Sequence, residues 1–312
     1  MKKGLPVFLA IAAAAVCVIA VVLPQKQKPD YTIGICQFTQ HDPLDSATLG
    51  FKTALTDKLG DKVRFIEQNA NGDLTLCTSI VNDLVAQDVD LILANATNAL
   101  LTAANATEDI PILGTSITDY SQIIGDNVSG TSDLIPADIQ AAMISELFPD
   151  AKTIGIIYCS AESNSQYQAD AMKTALASVG YPCQTYLFAE AGDLSSVTMT
   201  AAAECDVLYI PTDNTVASNA QQVANICLPE KVPVITGEES TCLTCGVATI
   251  SVDYQALGYA TGEMAAKILT EGTAVSALPV QYAPSFTKRY NETICEQLGI
   301  DVPEGYTPLG GE

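Results

Sequence analysis

The 312-residue chain carries 36 Asp and Glu against 14 Lys and Arg, a formal net charge of −22 at neutral pH. So acidic a surface repels phosphate backbones, which argues against nucleic acid as a partner, and it serves solubility. The length suffices for one or two domains with real cores, and no disulfide staples are needed to hold them.

The N-terminus stands apart from the rest. Lys2 and Lys3 precede an uncharged, mostly apolar run from Gly4 to Leu23, which Lys26 and Lys28 close. At a rise of 1.5 Å per residue such a run spans a ~30 Å hydrocarbon core. No A-x-A pattern precedes Pro24, and Val16 stands before Cys17 where a lipobox needs a small residue. The run therefore reads as an uncleaved anchor, residues 1–29 with its linker. A lipoprotein signal at Cys17 and a cleaved secretory signal are the alternatives. All three put the body outside the cytoplasm, on the outer face of the membrane or secreted.

After Asp30, short runs rich in Ile and Val alternate with longer amphipathic stretches. Strands are expected at Thr32–Phe38, Val63–Gln68, Leu91–Ala94 and Ile110–Gly114. Leu49, Ala54, Leu55 and Leu59, and then Ile80, Leu84 and Val85, recur near helical spacing between them. Alternation of this kind reads as βαβ units on a parallel sheet. The pattern then restarts. Ile154-Gly155-Ile156-Ile157 echoes Ile33-Gly34-Ile35-Cys36, Asp206-Val207-Leu208 echoes Asp90-Leu91-Ile92, and Val232-Pro233-Val234 echoes Ile110-Pro111-Ile112. Three echoes in the same order at nearly one offset predict two lobes of like topology.

Polar residues gather just after these strands, where open parallel sheets place their ligands and helix N-termini offer free N–H groups. Thr97, Asn98, Thr115, Ser116, Ser163, Asn164 and Ser165 supply donors for a carboxylate, and Asp213 or Glu239 an acid for an ammonium. That set suits a small zwitterion. The two arginines, Arg64 and Arg289, lie outside the strand-end loops, which disfavours a strongly anionic ligand. Phe38, Tyr120, Tyr158 and Tyr254 fall near strand ends and are candidates to sandwich an apolar or aromatic side chain, with core packing as the alternative for each.

Catalytic signals are missing: there is no G-x-S-x-G elbow, P-loop or dinucleotide fingerprint. His41, the only histidine, lies in a loop beside Asp42 and reads as a helix-start or packing residue. Nine cysteines remain outside Cys17, several in apolar strand contexts that suit buried thiols. Cys242 and Cys245 have C-x-x-C spacing, read as a local disulfide or two thiols; one such pair assigns no metal. Neither a cofactor nor an enzyme activity is expected.

The chain resembles the ABC-transporter substrate-binding proteins, the family that includes the tryptophan- and tyrosine-binding lipoproteins. The likeness runs over residues 31–300 and rests on "IGICQFTQHDPLDSATLGF" (33–51), "NANGD" (69–73), "DLILANATNAL" (90–100), "DNVSGTSD" (126–133), "LFPDAKTIGIIYCSAESNS" (147–165), "VLYIPTDNTVAS" (207–218) and "VDYQALGYATGEMAAKIL" (252–269). It implies an α/β type I periplasmic-binding-protein fold: two Rossmann-like lobes with parallel sheets, three hinge crossings and a ligand between them. The expected lobes are 31–149 with 253–283, and 150–252 with 284–312. Residue by residue it implicates Phe38, Thr97, Asn98, Asn164, Ser165, Asp213, Asn214 and the acidic loop at Glu239 in ligand binding. The expected function is that of a protein that closes on an amino acid, an aromatic one such as tyrosine, tryptophan or phenylalanine, and delivers it to a membrane permease; a monomer is expected. A sensor presenting the same ligand to a receptor is the alternative.

Overall fold

The computed structural model describes residues 29–123 and 125–310. The expected N-terminal anchor lies outside them, and among the described residues no helix is long and apolar enough to cross a membrane.

The first half lays down β1 (Tyr31–Gln37), α1 (Asp42–Leu59), β2 (Val63–Asn69), α2 (Leu74–Ala86), β3 (Leu91–Asn95), α3 (Thr97–Ala106), β4 (Ile112–Ile117) and β5 (Val128–Ser132). The second half follows with α4 (Ala137–Leu147), β6 (Ile154–Cys159), α5 (Ser163–Ser178), β7 (Cys183–Phe188), α6 (Leu194–Glu204), β8 (Val207–Ile210), α7 (Asn214–Ala217), α8 (Ala220–Glu230), β9 (Val234–Thr236), α9 (Glu239–Cys245) and β10 (Ala248–Ser251). The chain closes with α10 (Tyr254–Glu271), β11 (Gln281–Tyr282), β12 (Thr287–Tyr290), α11 (Glu292–Leu298) and β13 (Thr307–Pro308).

Two sheets result, in the orders β11-β5-β4-β3-β1-β2 and β13-β12-β10-β9-β8-β6-β7. The first is parallel throughout, and the second is parallel except where β12 runs against β10. Central strands such as β3, β6 and β8 are buried along their whole length, because helices cover both faces of each sheet. Edge strands β2 and β7 are only half-buried. Side-chain caps fix several helix starts: Asp73 accepts from the N–H groups of Thr75 and Leu76, and Asp253 from that of Ala256.

The chain passes between the sheets three times, after β5, after β10 and after β11. The first crossing falls at residues 133–136, ahead of the 149/150 boundary expected from sequence. The reason is packing: Ala141, Met143 and Ile144 of α4 bury against Ile154, Tyr158 and Leu176 of the second lobe. Strand β4 also departs from expectation. Pro111 has no N–H for the ladder, so pairing begins at Ile112 and runs on through Thr115 and Ser116. All nine described cysteines are free thiols, and eight of them are buried, Cys242 and Cys245 included.

Candidate functional site

The carboxyl ends of the two sheets face each other, and hydrogen bonds cross the gap. Thr39 Oγ1 lies 3.4 Å from Ser218 Oγ, and His41 Nε2 lies 3.1 Å from Asn214 Oδ1. Gln168 Nε2 of α5 donates to Thr118 Oγ1 just after β4 at 3.5 Å. At the hinge, the Tyr254 hydroxyl donates to Asp133 Oδ2 at 3.0 Å, tying the second crossing to the first. A cavity of about 290 Å³ lies within this cleft, between Phe38, Gly72, Leu74 and Asn98 of the first lobe and Cys159, Glu162, Asn214 and Ser218 of the second. Among small-molecule sites, which run to ~300–1,000 Å³, that volume is small.

Five buried polar atoms near these strand ends have no protein partner: His41 Nδ1, Asn95 Oδ1, Thr97 Oγ1, Ser116 Oγ and Asn164 Oδ1. Buried polar groups are nearly always hydrogen-bonded, so a set of exceptions drawn from both lobes needs an explanation. Thr97 opens α3 and Asn164 lies in the first turn of α5, so each sits beside free helix N–H groups. Backbone strain gathers here too. Ala96 has φ 83° and Ser116 φ 58°, left-handed values that cost a non-glycine residue about 1–3 kcal/mol and cluster at binding sites.

The other expected site residues divide. Phe38 and Asn98 line the cavity, and Ser165 is buried beneath Asn164, accepting from its Nδ2 at 3.3 Å. Asn214 lines the cavity and carries the cross-lobe bond to His41. Thr115 does not join them. It lies inside β4, and its hydroxyl meets that of Thr131, which in turn meets Thr261 of α10. Glu239 lies apart as well, in a separate groove of about 450 Å³ on the hinge side, 3.7 Å from Arg289. Asp213, expected to meet an ammonium, is occupied locally. One carboxylate oxygen accepts from Cys159 N at 2.7 Å and the other from Val216 N at 2.9 Å, so it caps α7 and pins the end of β6.

Two residues that the sequence reading passed over prove central. Glu162 stands at the N-cap of α5 but its carboxylate caps no main-chain N–H of that helix. It accepts instead from Asn214 N and Nδ2, from Thr215 N and Oγ1, and from Asn164 Nδ2. An acid directly before the Ser163-Asn164-Ser165 donors was the available signal. His41, read as a helix-start residue, makes no side-chain cap to α1 and reaches across the cleft.

Burial pushes the Asp133 carboxyl up to about 6, against the Tyr254 hydroxyl bond that holds it down. Burial, and then the neighbouring Glu162 charge, push Asp213 up to about 7. For both, the folded state holds its proton at a pH where the unfolded chain, near 3.8, has lost it. Their contribution to stability therefore falls as pH rises from about 4 to about 7, then stays level. Urea midpoints of Asp133→Asn and the parent between pH 4 and 8 should differ in slope, the variant falling less steeply. Parallel curves would show that Asp133 does not titrate in this range.

The fold, the facing strand ends and the cleft define a two-lobed α/β binding protein. The model of the family "ABC transporter substrate binding protein" matches residues 32–308, and the chain belongs to that family. It is 36% identical over 267 residues to a tyrosine-binding protein of Clostridioides difficile, covering 82% of this chain and 76% of that one. An ABC domain from Streptococcus pneumonia in complex with L-Trp superposes with a TM-score of 0.84 at 30% identity, covering 88% of this chain and 96% of that one. A ligand-free, open substrate binding protein with adhesive properties from Clostridium difficile gives 0.68 at 34% identity, covering 90% and 100%. The family binds substrates and is not a family of enzymes, and the fold is that of the periplasmic binding proteins.

Proposed function

We propose that this chain is the extracytoplasmic solute-binding component of an ABC importer, held at the outer face of the membrane by its N-terminal segment. Its cleft takes an amino acid, and an aromatic side chain fills the cavity against Phe38 and Leu74. The observation that carries this reading is the set of unpartnered atoms. Thr97 Oγ1 and Ser116 Oγ offer two donors to a carboxylate, beside the N–H groups of α3. Asn164 Nδ2 already donates within the protein, so its Oδ1 remains as an acceptor for an ammonium. Charge agrees: every buried charged side chain among the described residues is acidic, namely Asp133, Glu162, Asp213 and Glu238. The names of the relatives support an aromatic ligand, and family membership supports delivery to a permease over the sensor alternative.

Calorimetry of the full-length protein with the twenty amino acids tests the reading, and no binding to any of them would overturn it. Thr97→Val makes the test specific to the site. The hydroxyl has no protein partner, so its removal should leave the ligand-free melting temperature unchanged or slightly raised. Loss of one hydrogen bond to a charged ligand group should weaken binding of tyrosine, tryptophan or phenylalanine roughly 10- to 150-fold. Unchanged affinity would remove Thr97 from the site.

A further inference from the structure

We propose that His41 touches the bound amino acid directly, its Nδ1 accepting a hydrogen bond from the ligand's α-ammonium while its Nε2–H holds Asn214 of the opposite lobe. The inference rests on the amino-acid reading above and adds a specificity-determining residue to it.

The network fixes the proton on the ring. The Glu162 carboxylate only accepts, and Asn214 Nδ2 lies 2.6 Å from it, so the amide nitrogen faces Glu162 and the amide oxygen faces His41. A carbonyl oxygen only accepts, so His41 Nε2 is the donor in that 3.1 Å bond. A neutral ring with its proton on Nε2 leaves Nδ1 as a bare lone pair. That atom is buried and has no partner in the protein.

The two ordinary roles for such a residue do not account for it. As the residue before α1, His41 caps nothing with its side chain. As a packing residue it would leave a buried acceptor unsatisfied, which folded proteins avoid. Instead the ring lies between the lobes, held from the second by Asn214 and within the field of buried Asp133 at the hinge. An acceptor at the meeting of both lobes, among buried carboxylates and away from any buried lysine or arginine, calls for a cationic donor. The α-ammonium of a zwitterion is one. The contact also links occupancy to closure, because a single ring then holds both the ligand and the opposite lobe.

His41 is the only histidine in the chain, so its ring nitrogens give unambiguous signals. Full-length protein labelled with 15N-histidine and purified without a histidine tag is titrated with L-tyrosine, L-tryptophan and L-phenylalanine. Expected is a neutral, Nε2-protonated ring throughout, with the Nδ1 resonance moving upfield on binding and Nε2 nearly still. Tyramine, which keeps the ammonium and lacks the carboxylate, should move Nδ1, and 3-(4-hydroxyphenyl)propionate should not. His41→Gln keeps an amide donor near the Nε2 position and has nothing at Nδ1. It should melt near the parent temperature and bind L-tyrosine roughly 10- to 150-fold more weakly. The proposal is overturned by an unmoved Nδ1 in a sample that calorimetry shows to be saturated. A ring doubly protonated in the complex, or a His41→Gln variant that binds like the parent, overturns it equally. If that variant does not fold, the Nδ1 signal of the parent decides. If the parent binds none of the three amino acids, it is the amino-acid reading that has failed. Nδ1 in protein as purified, compared with the same protein after unfolding in guanidinium, dialysis and refolding, then decides the contact, and an unchanged signal overturns it.

Discussion

Gly258→Ala is expected to cost about 3 kcal/mol of stability, the upper end of what overpacking a core takes. Gly258 lies in α10, where a Cβ would sit 1.9 Å from the carbonyl oxygen of Ala47 in α1 and 2.6 Å from its carbonyl carbon. The facing Gly50 is as tight, its added Cβ falling 2.0 Å from Gln255 O, and Gly262 meets Ala54 Cβ at 2.6 Å. The obstacle is backbone, which no rotamer change removes, so the two helices must separate. Helix propensity alone predicts the opposite sign, since Ala in a helix interior is favoured over Gly by about 1 kcal/mol. The sign of the measured change in urea midpoint therefore decides between close packing and propensity. Gly192→Ala, where an added Cβ meets nothing within 4 Å, is the control and should shift stability by no more than ~0.5 kcal/mol. A Gly258→Ala protein as stable as the parent would mean that α1 and α10 do not approach this closely. Because α1 begins directly after His41, separation of the helices should weaken ligand binding as well.

Glu162→Ala is the second large effect, and it acts on stability and binding together. The carboxylate accepts five hydrogen bonds, two of them from the main-chain N–H groups of Asn214 and Thr215 that open α7. Each hydrogen bond to a charged group contributes about 1.5–3 kcal/mol. Two terms offset the loss: a buried charge no longer has to be desolvated, and repulsion with Asp213 disappears. Water entering the space restores some of the bonds, leaving an expected net loss of about 3 kcal/mol. Asn214 then loses the partner that orients its amide, and with it the bond to His41. Affinity for tyrosine should fall at least ~30-fold, the lower bound for truncating a buried hydrogen-bonded charge. The Asp213 carboxyl should titrate below its present value of about 7, because the Glu162 charge is one of the causes that raise it. Carbon-detected titration of Asp213 in both proteins checks this, and an unmoved Asp213 would show that its elevation comes from burial alone.

Much of this architecture is written locally in the chain. Ile33, Ile35, Leu91, Leu93 and Leu113 form apolar runs that only strands covered on both sides can bury, so the strand positions and their echo in the second half are legible. The polar loops at the strand ends follow from the same reading, and so do Phe38, Thr97, Asn98, Ser116, Asn164 and Asn214 as residues of the cleft. What local pattern does not encode is the destination of a polar side chain that faces several partners. Thr115 and Ser116 are neighbours with opposite fates, because the sheet sends Thr115 toward α10 and a positive φ turns Ser116 away. Asp213 and Glu239 are equally good acids in sequence. Tertiary structure gives one to the N–H groups of Cys159 and Val216 and the other to a groove beside Arg289. Glu162 and His41 acquire their roles only when the chain brings Asn214 to them, 52 and 173 residues away in sequence. Periodicity fixes which faces are buried, since burial is decided within a few residues. Which carboxylate meets which helix end depends on long-range closure of the fold, and only the packed lobes decide it.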